Sequence, residues 1–379
     1  MKRSFTKILL CAITTISFLI PSLSATEFKF QDYPGTLDIK SRAMLDMDYL
    51  NVDYEEKAPG KKVSVARESF ESNGVLEVTM FAERDIDNDW RASWDTEMEF
   101  KTDNTIDVVK SLIKLSKGEF YAELGKEDLE DAYIFGEDTL VVHAFYGPKG
   151  YGASDAASYG FSLGYESGDT NFQFWVPYTI EGSQNVLGAR PFLATKFGAI
   201  NFVGALETQT KRDQIDKETK TEGQKIEAPV EVHKMSGFGL SLYVDPKIPV
   251  IGETGSMIGI SYASKKETTD IQYSKEEDLS SVTYGVFATF YVNAKRWFGV
   301  AYHHADDTIE SESGSSKMET DESGSKWFAS FHQTIGRGAA LKLAVSGTST
   351  EVRPDKVTAA NPDRNTEMIG TRMRLVYRF

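Results

Sequence analysis

Two short motifs and one acidic run hold the residues of this chain that could do chemistry. Gly160-Phe161-Ser162-Leu163-Gly164 has the Gly-x-Ser-x-Gly spacing that, on a sharp strand-to-helix turn, exposes a nucleophilic serine. His303-His304, followed by Asp306-Asp307, offers residue types that bind divalent metals. Glu127, Asp128, Glu130, Asp131, Glu137 and Asp138 fall within twelve residues that include no basic one, a concentration of charge able to attract cations.

The elements that carry these residues decide between the chemistries. Ser162 lies between Phe161 and Leu163 in an apolar-polar alternation that no helical pattern follows, so the hydrolase elbow is missing. None of the five histidines is visibly paired with it. Successive strand residues point to opposite faces, so His303 and His304 do not converge on one ion, and they read as a strand end at a membrane rim. No catalytic residue, metal site or cofactor is assigned.

The period is 2 nearly everywhere. Over 90–101, Trp90, Ala92, Trp94, Thr96, Met98 and Phe100 form one phase, and Arg91, Ser93, Asp95, Glu97, Glu99 and Lys101 the other. Over 37–48, Leu37, Ile39, Ala43, Leu45 and Met47 oppose Asp38, Lys40, Arg42, Asp46 and Asp48. A strand with one oily and one wet face tolerates no slip in a membrane, where a basic residue at the midplane costs roughly 2–4 kcal/mol.

The same reading places strands at 36–52, 74–84, 90–101, 106–117, 119–126, 156–166, 171–180, 189–198, 200–210, 234–245, 257–265, 281–293, 296–305, 326–335, 339–349 and 367–379. The total is even, as a closed bacterial barrel requires. Short turns such as Gly168-Asp169-Thr170 alternate with long polar connections at 53–73, 127–155, 211–233, 266–280, 306–325 and 350–366, the asymmetry of a membrane barrel. The connection 246–256 breaks this rule. The acidic stretch 306–323 reads as a solvated, mobile loop, with divalent bridging to lipid headgroups as the alternative. Aromatic residues near strand ends, among them Trp90, Trp297, Trp327 and Tyr377, suit interface girdles. Trp175, Phe287 and Tyr291 are candidates for an aromatic track in the lumen.

Composition agrees with an exported protein. Lys2, Arg3 and Lys7 precede an apolar stretch from Ile8 to Ile20 and small residues at Ser22, Ser24 and Ala25, which predicts a signal peptide over 1–25 and a barrel over 26–379. Cleavage removes Cys11, the single cysteine, and leaves nothing for thiol or disulfide chemistry. It also makes the net charge of −15 three units more negative, which argues against nucleic acid as a partner.

The C-terminal strand sets Ile369, Thr371, Met373, Leu375, Tyr377 and Phe379 against Arg372, Arg374 and Arg378. Ending on an aromatic residue, it resembles the recognition signal that outer-membrane barrels present to the barrel assembly machinery, with Phe379 and Tyr377 as the carriers. Gly118-Glu119-Phe120-Tyr121-Ala122-Glu123-Leu124-Gly125-Lys126 resembles the strand that precedes the inward-folded third loop of the general bacterial porins. Phe135-Gly136-Glu137-Asp138-Thr139 resembles that loop's tip, with Glu137 where the family has glycine.

Taken over the whole mature chain, the resemblance implies an all-β, closed antiparallel transmembrane barrel of sixteen strands. It implies a cell outer-membrane location, outer-membrane lipid around the barrel and homotrimeric assembly. It implies passive diffusion of small hydrophilic solutes and ions, with a substrate-selective channel or a structural or adhesive barrel as alternatives. By this resemblance Asp138 and Lys126 belong to the pore constriction, with Glu130, Asp131 and Glu137 as an acidic side built differently. Arg42, Lys40 and Arg91 are candidate basic partners from the lumen-facing phase of early strands, which no motif ties to the family.

Overall fold

In the computed structural model, the residues described are 26–29, 35–86, 89–126, 132–134, 159–181, 184–214, 230–244, 256–271, 275–313, 316–336 and 338–378. The predicted leader, Phe379 and the connection 246–255 lie outside them. Among the described residues there are seventeen strands in one antiparallel sheet. They are β1 (Thr26–Lys29), β2 (Gly35–Ala58), β3 (Lys61–Ile86), β4 (Trp90–Lys101), β5 (Ile106–Lys117) and β6 (Phe120–Lys126). Then come β7 (Tyr159–Ser167), β8 (Thr170–Glu181), β9 (Gln184–Phe197), β10 (Ile200–Gln214), β11 (Val230–Val244) and β12 (Ser256–Ile271). The last five are β13 (Lys275–Asn293), β14 (Arg296–Ser313), β15 (Ser316–Thr334), β16 (Ala339–Pro354) and β17 (Asp363–Arg378).

Each strand from β2 onward pairs with the next, and β17 returns to β2 from Asp363↔Lys57 to Arg378↔Arg42, so sixteen strands close a barrel without edges. Strand β1 joins Thr36–Ile39 of β2, just past the point where β17 stops. Because β3 occupies the other edge of β2 over 35–58, β1 extends the ladder that β17 leaves.

The alternation sorts the two faces as the sequence requires. Ile113, Leu124, Leu206 and Ile260 are 54 %, 62 %, 60 % and 54 % exposed, an apolar exterior of the kind a membrane barrel turns to lipid. Asp48, Glu123, Arg190 and Lys326 alternate to the interior and are buried. Strands β4 and β5 have the predicted bounds.

Three expected loops are instead extended hairpins. Residues 53–73, 266–271 with 275–280, and 306–313 with 316–325 continue the β2–β3, β12–β13 and β14–β15 ladders in register. A membrane crossing needs about 9–11 residues, and β14 and β15 have 18 and 19. Beyond the lipid both faces are wet, so hydrophobic alternation ends while backbone pairing goes on. Cross-strand contacts such as Glu310–Lys317 at 2.5 Å and Thr308–Asp321 at 3.1 Å support the projecting part.

Candidate pore constriction

Strand β6 turns Tyr121 and Glu123 inward, and the chain departs from the wall at its end. Gly125 has φ +142°, and a Cβ there would overlap the Ser111 carbonyl of β5, so this departure requires glycine. Ala132, Tyr133 and Ile134 then lie against β11, β12 and β14. Strand β14 stands eight places from β6 in the ring of sixteen, so residues 132–134 lie on the wall opposite the strand that precedes them.

The far wall is built to receive this segment. Ser241, Ser261, Gly285 and His303 form one inward-facing row across β11–β14, each directly opposite the next. The first three are small, which leaves a trench. The Ser241 hydroxyl donates to the Ala132 carbonyl at 2.7 Å and accepts from the Ile134 amide at 2.9 Å, and Ser261 donates to the Ile134 carbonyl at 2.7 Å. The Tyr133 hydroxyl lies 2.7 Å from His303 Nδ1, both side chains being fully buried. Ala132 and Tyr133 pack with Phe192, Val203, Ala205 and Ala263 in one apolar cluster. Three backbone groups of the segment, the Ala132 carbonyl and the Ile134 amide and carbonyl, thus find partners on wall serines.

With that side of the lumen occupied, β16–β6 line the remainder with paired charges. Arg374 binds Asp46 through two hydrogen bonds of 2.6 Å, and Arg372 binds Asp48 at 2.7 and 2.6 Å. Arg42 pairs with Glu77, Lys110 with Asp95 at 2.9 Å, and Lys114 with Glu123 at 3.4 Å. Carboxylate oxygens of Glu77, Glu97 and Glu99 lie within 4.8 Å of one another on this wall. Fixed in opposite pairs, these arginines present little uncompensated positive charge.

The sequence-predicted site residues fall in different places. Arg42 belongs to the charged wall. Lys40, paired with Asp38 at 2.9 Å, and Arg91, beside Asp85 at 3.3 Å and Glu83 at 3.6 Å, face inward near the short-turn end. Lys126 is corrected: it shares the outward phase of Leu124 and Phe120, and its ammonium donates to the Val108 carbonyl. Glu130, Asp131, Glu137 and Asp138 lie outside the described residues. Tyr377 is in the outward phase and 37 % exposed.

Two further expectations change. His303 is no strand end at a rim, because β14 continues to Ser313 and the ring faces the lumen. His304 points the other way, with Ser325 at 2.9 Å and Asp306 at 3.1 Å, so the two imidazoles share no ion site. Trp297 leaves the exterior girdle: it alternates with Ala301 to the inside, stacked on His332 at 3.5 Å and 6.2 Å from Tyr291. Trp175 and Phe287 do point inward but are buried, while Tyr291 is inward and half-buried beside Trp297. Ser162 is an interior strand residue whose hydroxyl donates to Glu123 at 2.8 Å.

Sequence reasoning missed the seat of Tyr133. The available signal was the run of small inward residues Gly239-x-Ser241, Gly259-x-Ser261 and Thr283-x-Gly285 on three neighbouring strands.

No protein-family model matches the chain, and no curated protein does. Solved structures match in fold. In-vitro folded OmpT, an outer membrane protein of Vibrio cholerae, gives a TM-score of 0.59 at 17% identity, covering 94% of this chain and 100% of its own. A trimer form of OmpT gives 0.56 at 16% identity, covering 91% and 99%. The outer membrane channel DcaP of Acinetobacter baumannii gives 0.53 at 11%, covering 93% and 99%. An anion-selective porin from Comamonas acidovorans gives 0.50 at 14%, covering 90% and 100%. The fold is that of a multi-pass outer-membrane β-barrel of porin type, with sixteen closed antiparallel strands.

Proposed function

We propose that this chain is an outer-membrane porin, a water-filled channel for passive diffusion of small hydrophilic solutes and ions, working as a homotrimer and without catalysis. The observation that carries the reading is the seating of Ala132–Ile134 on the wall opposite its origin, which narrows the lumen and leaves a charged half beside it. An ion moving past Arg372, Asp46, Asp48 and Glu77 exchanges part of its hydration for fixed charges and needs no bound cofactor. The trimer form of OmpT supports the assembly by analogy of fold. Ser162, committed to a carboxylate, has the environment of a structural hydroxyl.

A second reading, a substrate-selective channel, is favoured by the inward cluster of Tyr291, Trp297 and His332. Purified protein in a planar bilayer tests both. A diffusion porin gives stepwise ohmic current that added solutes leave unsaturated, a selective channel gives current blocked by its solute, and an adhesive barrel with a closed lumen gives none.

A further inference from the structure

We infer that Gly285 and His303 set the size limit of the channel as positioning residues, acting through Tyr133; this rests on the channel reading. Gly285 stands directly opposite His303 on the neighbouring strand. A Cβ at Gly285 would overlap His303 Nδ1 and lie 2.7 Å from its Cε1 and 2.8 Å from the Tyr133 hydroxyl. The missing side chain is therefore the space in which imidazole and phenol meet. On the next strand Phe328 stacks against His303 at 6.4 Å with a 12° interplanar angle. Between Phe328 and the glycine floor, the ring is held with Nδ1 presented to the phenol.

The other anchors differ in kind. Ser241 and Ser261 bind only the backbone of Ala132 and Ile134, so they would accept many loop sequences. Among the described residues of the crossing segment, the Tyr133 side chain alone makes a hydrogen bond to the wall, and it makes it at the Gly285 notch. The phenol and notch thus specify where along the wall the segment lies, and that position fixes the free cross-section beside it. A residue larger than glycine at 285 displaces either the imidazole or the phenol, and in both cases the segment loses its fixed place.

The test compares wild type, Gly285→Ala, Tyr133→Phe and Tyr133→Ala. Each is measured by single-channel conductance and by swelling of liposomes in neutral sugars of increasing size, after gel mobility without boiling has verified a closed barrel. The inference expects higher conductance and an upward shift of the sugar cut-off in Gly285→Ala and Tyr133→Ala, and a smaller shift in Tyr133→Phe, which keeps the ring. Should Gly285→Ala fail to assemble, Tyr133→Ala decides, because that residue lies off the barrel wall. A conducting wild type with unchanged cut-offs in the folded variants overturns the inference and leaves the channel reading standing. A wild type without conductance overturns the channel reading itself.

Discussion

Arg374 and Asp46 face each other in register across the seam where β17 meets β2, joined by two parallel hydrogen bonds of 2.6 Å. One turn of the alternation further, Arg372 and Asp48 repeat the arrangement, with Asp48 2 % exposed. The closing strand β17 is thus tied to β2 by two bidentate ion pairs as well as by its ladder. Removing one partner of a buried pair leaves the other charge without compensation, at about 3–5 kcal/mol.

Asp48→Asn should therefore lower the temperature at which the barrel loses its compact gel mobility. It should also move the reversal potential toward anions, because Arg372 and Arg374 are left with Asp46 alone and the cluster becomes net positive. The double change of Asp48 and Arg372 to Asn and Gln should recover much of the stability. Equal melting of the single and double variants would show that the pair does not couple.

Mild cation preference is the expected selectivity of wild type. Exposed acids are screened within about 8 Å at physiological salt, so the chain's negative net charge decides little by itself. The wall arginines are paired, and the loop carrying Glu130, Asp131, Glu137 and Asp138 also contains the seated residues 132–134. Neutralising these four carboxylates should reduce the cation preference measured as reversal potential in a salt gradient. Anion preference in wild type, or no change on neutralisation, would place those acids away from the ion path.

Assembly should depend on the C-terminal aromatic residues. Tyr377 pairs with Ala43 and faces outward at the end of the closing strand, where an assembly factor can reach it. Deleting Phe379 should reduce the amount of barrel in the outer membrane while synthesis and export continue, measured by fractionation and immunoblot. Unchanged outer-membrane levels would refute this role.

Most of the wall was legible because lipid and water enforce a period of 2: Leu45 against Asp46, or Phe161 against Ser162, can be sorted by eye. The same parity should have placed Lys126 outside, since Glu123 faces in, but likeness of residue type to a porin motif pointed to the lumen. The seat was not legible, because Tyr133 and His303 are 170 positions apart and nothing local in either segment announces the other. The projecting hairpins were missed for a third reason. Above the membrane polar residues occupy both faces, and a paired strand then has the composition of a loop.

The β14–β15 hairpin gives that distinction a measurable form. Register places Glu310 opposite Glu319 and Asp307 opposite Glu322, while Lys317 reaches Glu310 at 2.5 Å. Hydrogen bonding to Glu310 raises the Lys317 pKa, so this cation stays charged throughout the neutral range and keeps relieving its acidic neighbours. Like charges directly opposite destabilise a sheet, and opposite-charge pairs contribute roughly 0.2–1 kcal/mol. Amides of 306–313 and 316–323 should therefore exchange with solvent more slowly than a free loop, and protection should rise with salt as repulsion is screened. Glu319→Lys should raise protection at low salt and weaken its salt dependence, because the new ammonium faces Glu310. Exchange at the rate of an unstructured peptide, whatever the salt, would show that the ladder ends at the membrane and that 306–325 is a loop after all.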